Sequence, residues 1–189
     1  MGFLTPDTTD EHDTLATFAQ HQLQQTATTL HGLDEEQIAA TPTASELSVG
    51  VLAKHVIAGA RAFTALITAT GGEPLPQDAP ETAALRGEDP FALAAGDTAD
   101  SLTAELEAVA DALATAIRGA DLSAPVPTPE AEWYTGQERW TVRWLALHAV
   151  EEAARHTGHA DIIREALDGA GAYELNARYD GEPWPPEEW

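Results

Sequence analysis

The chain of 189 residues contains no cysteine, and that single absence removes a block of chemistry. Neither a disulfide framework, nor a CxxC redox or zinc-binding pair, nor a thiol nucleophile can be built from it. Any sulfur chemistry must therefore use a thiol brought in by another molecule. Basic residues are scarce too: nine Lys and Arg, with Lys54 the single lysine, face 32 Asp and Glu, for a formal net charge of −23. A field of that sign repels phosphate backbones and anionic bilayers, which argues against nucleic acid and membrane surfaces as partners. Long apolar runs are missing as well. Nothing approaches the roughly 18 consecutive apolar residues of a spanning helix, and the opening MGFLTPDTTDEHD has neither the basic nor the apolar stretch of a signal peptide. A soluble, cytoplasmic protein is expected.

What is present suffices for one core: 43% of residues are hydrophobic and 22% charged, a balance far from that of disordered chains. No segment alternates with period two, whereas three- and four-residue apolar spacings recur. Leu15, Phe18, Leu23 and Leu30 predict a first helix from about residue 10 to His31, capped by Thr8, Thr9 or Asp10 and stopped by Gly32. Residues 33–38 add one short turn. Ser48 is placed to cap a second helix from Val49 to about Thr70, with Leu52, Val56, Gly59, Phe63, Leu66 and Ile67 on one stripe. Leu102, Leu106, Val109, Leu113 and Ile117 define a third helix, from Thr98 to Gly119. Thr141 is placed to cap the fourth, in which Val142, Leu145, Ala149, Ile162, Ile163 and Leu167 are the apolar positions and Gly169 the stop.

Between these helices, residues 71–97 and 121–140 are rich in proline and read as long surface connections. The expected fold is all-α: a four-helix bundle over residues 1–169 followed by a Trp/Pro-rich tail, 170–189. That tail, with Trp184 and Trp189, is either disordered or pinned across the bundle by its tryptophans.

The sharpest chemical signal lies on the fourth helix. At about 100° per residue, His148, Glu152, Arg155, His156 and His159 fall within roughly 100° of arc. Glu152 and His156, at i and i+4, project side by side about 6 Å apart at Cβ, a spacing one ion can bridge. Of the seven histidines, His55 borders the apolar stripe of the second helix and faces inward, whereas His12, His21 and His31 sit on a polar first helix and read as solvated. Two imidazoles and a carboxylate make an open site suited to zinc first, and also to nickel, iron or manganese. The same residues equally describe an ordinary helix pair, a core histidine and a solvated Glu151-Glu152 face.

The run VRWLALHAVEEAARHTGHADIIRE, residues 142–165, resembles the fourth-helix signature of the DinB/YfiT-like metalloenzyme superfamily. Within it, the chain is most similar to the actinobacterial branch related to mycothiol-dependent maleylpyruvate isomerase and the mycothiol S-transferases. Gly32-Leu33-Asp34-Glu35-Glu36-Gln37, Pro42-Thr43, Leu47-Ser48 and Leu52-Ala53-Lys54-His55-Val56 follow in the same order, so that the likeness covers residues 10–169. The resemblance implies a four-helix bundle holding a divalent metal through His55, Glu152 and His156, the trio that periodicity also brings forward. It implies mycothiol or a similar low-molecular-weight thiol as co-substrate, and homodimers paired through the first helix are common among the relatives. The isomerase carries a further C-terminal domain which the Trp/Pro tail does not resemble, so the expectation passes to thiol transfer onto a small electrophile.

In that reading His159 moves a proton, and His148 and Arg155 hold an anionic group of the substrate, although structural roles suit all three. Metal-assisted hydrolysis of a small amide or ester, with the ion activating water, uses the same residues. So does a non-catalytic, stress-associated metal-binding bundle. The acidic surface carries its own expectation: no retention of DNA or RNA in a mobility assay, even at low salt where phosphate attraction is strongest. Specific binding there would overturn it.

Overall fold

The structure, a computed structural model, describes residues 2–71, 75, 78–85, 92–127 and 139–186. The chain is all-α, with seven helices among the described residues: α1 (Glu11–Thr28), α2 (Glu35–Ala39), α3 (Val49–Thr68), α4 (Pro80–Leu85), α5 (Ala99–Gly119), α6 (Val142–Asp168) and α7 (Ala172–Tyr179). The four long ones surround one core. α1 and α3 each pack against both α5 and α6 and barely touch one another, so they lie on a diagonal.

Each long helix starts at a side chain that accepts from an otherwise unpaired amide of the first turn. Asp10 accepts from Asp13, Ser48 from Val51, Thr98 from Ser101 and Thr141 from Trp144. At the other end of α6, Gly169 takes the left-handed conformation, φ 82°, and its amide bonds the Glu165 carbonyl at 3.0 Å. Gly50 is needed for a different reason. A Cβ there would lie 2.8 Å from the Ile38 carbonyl oxygen, so only glycine lets α2 cross α3 this closely.

Most of the expected apolar stripes face the core, among them Leu52, Val56, Phe63, Leu66 and Ile67 of α3 and the whole series from Leu102 to Ile117 of α5. Phe18 and Ile162 do not; both are exposed. α1 ends three residues earlier than its periodicity predicts. The hydroxyls of Thr28 and Thr29 bond back to the carbonyls of Gln25 and Thr26, and the Thr29 amide also turns to Thr26, tightening the last turn. The connection 71–97 is not wholly irregular, because α4 forms within it, with Pro80 in the first turn where its missing amide costs nothing. Connection 121–140 is held by an isolated bridge between Pro125 and Thr141, and residues 128–138 lie outside the described part. α3 is long and apolar enough to cross a membrane by composition, but more than half of that stretch is buried inside the protein.

In the tail, Leu175 and Asn176 dock α7 onto the bundle, while Trp184 is exposed and Trp189 lies outside the described residues. Asn176 and Gln25 of α1 exchange two buried amide hydrogen bonds of 2.8 Å each. Beside them, His21 is buried, not solvated. Its Nε2 lies 2.9 Å from the Gly2 carbonyl oxygen and its Nδ1 3.2 Å from the Thr5 hydroxyl, so the Nε2–H donates and Nδ1 accepts. His12 likewise reaches the Ala120 carbonyl at 3.0 Å.

The largest fully buried side chain belongs to a cation, Arg164, 2% exposed. Its Nη1 donates to the Thr29 and His31 carbonyls at 2.7 and 2.9 Å, and its remaining nitrogens grip Asp168 at 2.9–3.1 Å. One guanidinium thus satisfies backbone acceptors where α1 ends and joins that end to α6. Burial works to raise the Asp168 carboxyl, but hydrogen bonds from Arg164 and the Ala170 amide outweigh it and hold the group below its usual value. Arg164→Ala should cost about 1–3 kcal/mol, the scale for leaving buried acceptors such as the Thr29 and His31 carbonyls without their donor, read from urea unfolding at neutral pH. Because the folded carboxyl is depressed, its contribution is present above the unfolded carboxylate range and is lost as pH falls through the folded value. Wild type should lose that increment in acid and the variant should not. Parallel curves would refute the pairing.

Candidate metal centre

Ser48 fixes the start of α3 about two turns before His55, and Thr141 fixes the start of α6 ahead of Glu152 and His156. The two helices pack together, and the side chains meet across their seam. One donor atom each from His55, Glu152 and His156 lies within 4.8 Å of the other two. Glu152 Oε2 is 3.4 Å from His156 Nε2, close to the edge of a ligand tetrahedron with bonds of about 2.0–2.1 Å. The His55 and His156 rings meet edge to face, centroids 4.4 Å apart at 77°, so their nitrogens approach without stacking. All three side chains are half-buried. This donor set fits one divalent ion after a closure of about 1.4 Å at its widest edge.

Protonation favours ligation. Burial lowers the His156 pKa below its ordinary value, and the charges of His159 and Arg155 act in the same sense, against the opposing pull of Glu152. The ring is therefore neutral, with a lone pair to offer, at neutral pH.

The other expected site residues flank this trio. His159, one turn beyond His156, is half-buried. His148, one turn before Glu152, has Nδ1 3.3 Å from Glu151 Oε2. Arg155 is largely exposed, with its guanidinium 4.0 Å from the other oxygen of Glu151. Both residues assigned to an anionic group of the substrate thus share one carboxylate partner. Sequence reasoning did not see what surrounds His148: Trp144 stacks on it with centroids 4.8 Å apart, Trp140 stacks on Trp144 at 4.3 Å, and Phe63 of α3 comes within 5.7 Å. The signal was there in the four-residue spacing of Trp140, Trp144 and His148. Asp161, on the α6 face turned away from the trio, was also missed. Burial and the neighbouring Glu165 push its carboxyl up to about 6.

Protein loaded with zinc and dialysed should retain one ion per chain, and His156→Ala should retain far less. Retention should fall with acid as the ligand histidines take up protons, with His156 resisting to a lower pH than an ordinary histidine of about 6.5. Equal retention by variant and wild type, or no dependence on pH, would show that other groups hold the metal.

With the geometry in place, comparison with known proteins gives one match. The family model described as mycothiol-S-transferase matches residues 14–169, from the first turn of α1 to the glycine that ends α6. No curated protein and no solved structure matches the chain. The matched span takes in all four long helices and each residue of the His55, Glu152 and His156 trio, and on that match the chain belongs to the mycothiol-S-transferase family.

Proposed function

We propose that the protein is a divalent-metal-dependent S-transferase that joins a low-molecular-weight thiol, mycothiol or one like it, to a small electrophile. The observation that carries this reading is the convergence of two imidazoles and a carboxylate in a chain with no cysteine of its own. An ion held by His55, Glu152 and His156, zinc in the first instance, would favour the thiolate form of a bound thiol, a far stronger nucleophile than the thiol. Glu152 contributes the one negative charge of the ligand set and so tempers the attraction of the site for anions. His159, one turn beyond His156 on the same helix, would take the thiol proton. In the reaction the S–H bond breaks, sulfur forms a bond to the electrophilic carbon, and the leaving group departs with its electron pair. A reduced small thiol as co-substrate fits a cytoplasmic enzyme.

Metal-loaded wild type should consume thiol and electrophile together well above the uncatalysed rate. Glu152→Gln keeps the shape and removes a charge, and should weaken metal retention and turnover in parallel. His159→Gln should keep the metal and lose about 100-fold or more in turnover, the usual contribution of a general acid or base. Fully metallated protein that stays at the uncatalysed rate with several thiols refutes the transferase. Cleavage of an amide or ester without thiol would put hydrolysis in its place.

A further inference from the structure

The α3–α6 seam continues beyond the metal trio. His55 meets His156, and eight residues further along α3, Phe63 meets His148, which lies eight residues back along α6. The helices are therefore antiparallel, and the two meeting points are about 12 Å apart at 1.5 Å per residue. Halfway between them stand Gly59 on α3 and Glu152 on α6.

Gly59 is a helix-interior glycine, half-buried, without the left-handed backbone that would require one. Nor does packing demand it. A Cβ at Gly59 would find only Phe63 Cε2, at 4.0 Å, whereas at Gly50 it would collide with Ile38. Gly59 leaves the seam open opposite Glu152, with the His55 and His156 rings at one end of this stretch and the stacked rings of Trp144, Trp140 and His148 at the other.

We infer that this stretch is the bed of the electrophile and that it selects a planar, uncharged aromatic or conjugated molecule. Ring faces and edges attract such a plane more than a saturated body of equal size. Anions are disfavoured: Glu151 already engages both His148 and Arg155, and the chain carries −23 overall. Calling the occupant an electrophile rests on the transferase reading, but ring binding can be measured without turnover, so the two can fail separately.

The test is isothermal titration of zinc-loaded protein with nitrobenzene, an unreactive planar probe, against nitrocyclohexane, its saturated counterpart. Nitrobenzene should bind about tenfold more tightly. Trp144→Leu, which removes an exposed ring, should erase that preference with zinc content unchanged, and Gly59→Leu, which fills the stretch opposite Glu152, should erase it as well. Gly59→Ala should weaken it less, and with Trp144→Leu decides the matter if Gly59→Leu does not fold. Equal binding of the two probes, or variants that keep the preference, overturns the inference. So does a turnover assay in which Gly59→Ala raises KM for the thiol and leaves that for the electrophile unchanged, since the seam would then hold the thiol. Absence of turnover with nitrobenzene selectivity intact would sink the transferase and leave the aromatic site standing.

Discussion

The antiparallel register of α3 against α6 is the constraint on which the site depends. Glu152 and His156 are spaced by one helix and would stay neighbours in any packing. His55 joins them only if α3 holds its axial position, because a slip of one turn would move it by about 5.4 Å. That position is fixed from several sides. Gly50 seats α2 against the first turn of α3. Lys54, the neighbour of His55, reaches Asp97 at 2.7 Å and so ties α3 to the segment that leads into α5.

Polar groups in the interior complete the frame at the far end of α6. Arg164 ends α1 and anchors α6 through the same guanidinium, and the hydroxyls of Thr26 and Thr157 meet at 2.7 Å two turns earlier on the same interface. A buried charge of this kind is weak evidence for added stability compared with an apolar replacement. Its geometry nevertheless favours one axial placement of α6 against α1, since both Nη1 donors must meet the fixed Thr29 and His31 carbonyls. The apolar core supplies most of the attraction between the helices, and these directional contacts select one alignment among the many that greasy surfaces tolerate.

Much of this was legible in the sequence because helices write their period into it. The capping residues Ser48 and Thr141, Asp10 as one of three neighbouring candidates, the glycine stop at 169 and the inward bias of His55 all follow from local rules. Failures occurred where polarity and burial part company. Arg164 and His21 read as surface residues by type, and only their distant partners, Thr29, His31, Gly2 and Thr5, make burial tolerable. Phe18 and Ile162 fail in the opposite sense, apolar and at helical spacing yet on the outer face. α4 and α7 are too short for periodicity to speak, and a proline-rich stretch conceals the first of them. The ring cluster around His148 needed Phe63 from another helix, a contact no local pattern encodes.

The α7 attachment separates two levels of cohesion. Only Gly169, Ala170 and Gly171 lie between the end of α6 and its start, no side chain caps its first turn, and its hold on the rest comes from Leu175, one reciprocal amide pair with α1, the Tyr179 hydroxyl on Glu107 of α5 and the stack of Tyr173 on Phe3. Residues 172–179 are thus the part of the fold expected to open first, with the four long helices still closed. Its departure would uncover Gln25 and leave His21 beside solvent, loosening the N-terminal contacts through Thr5 and Gly2. The N-terminal segment and α7 thereby share one patch, remote from the seam where α3 and α6 bring His55, Glu152 and His156 together.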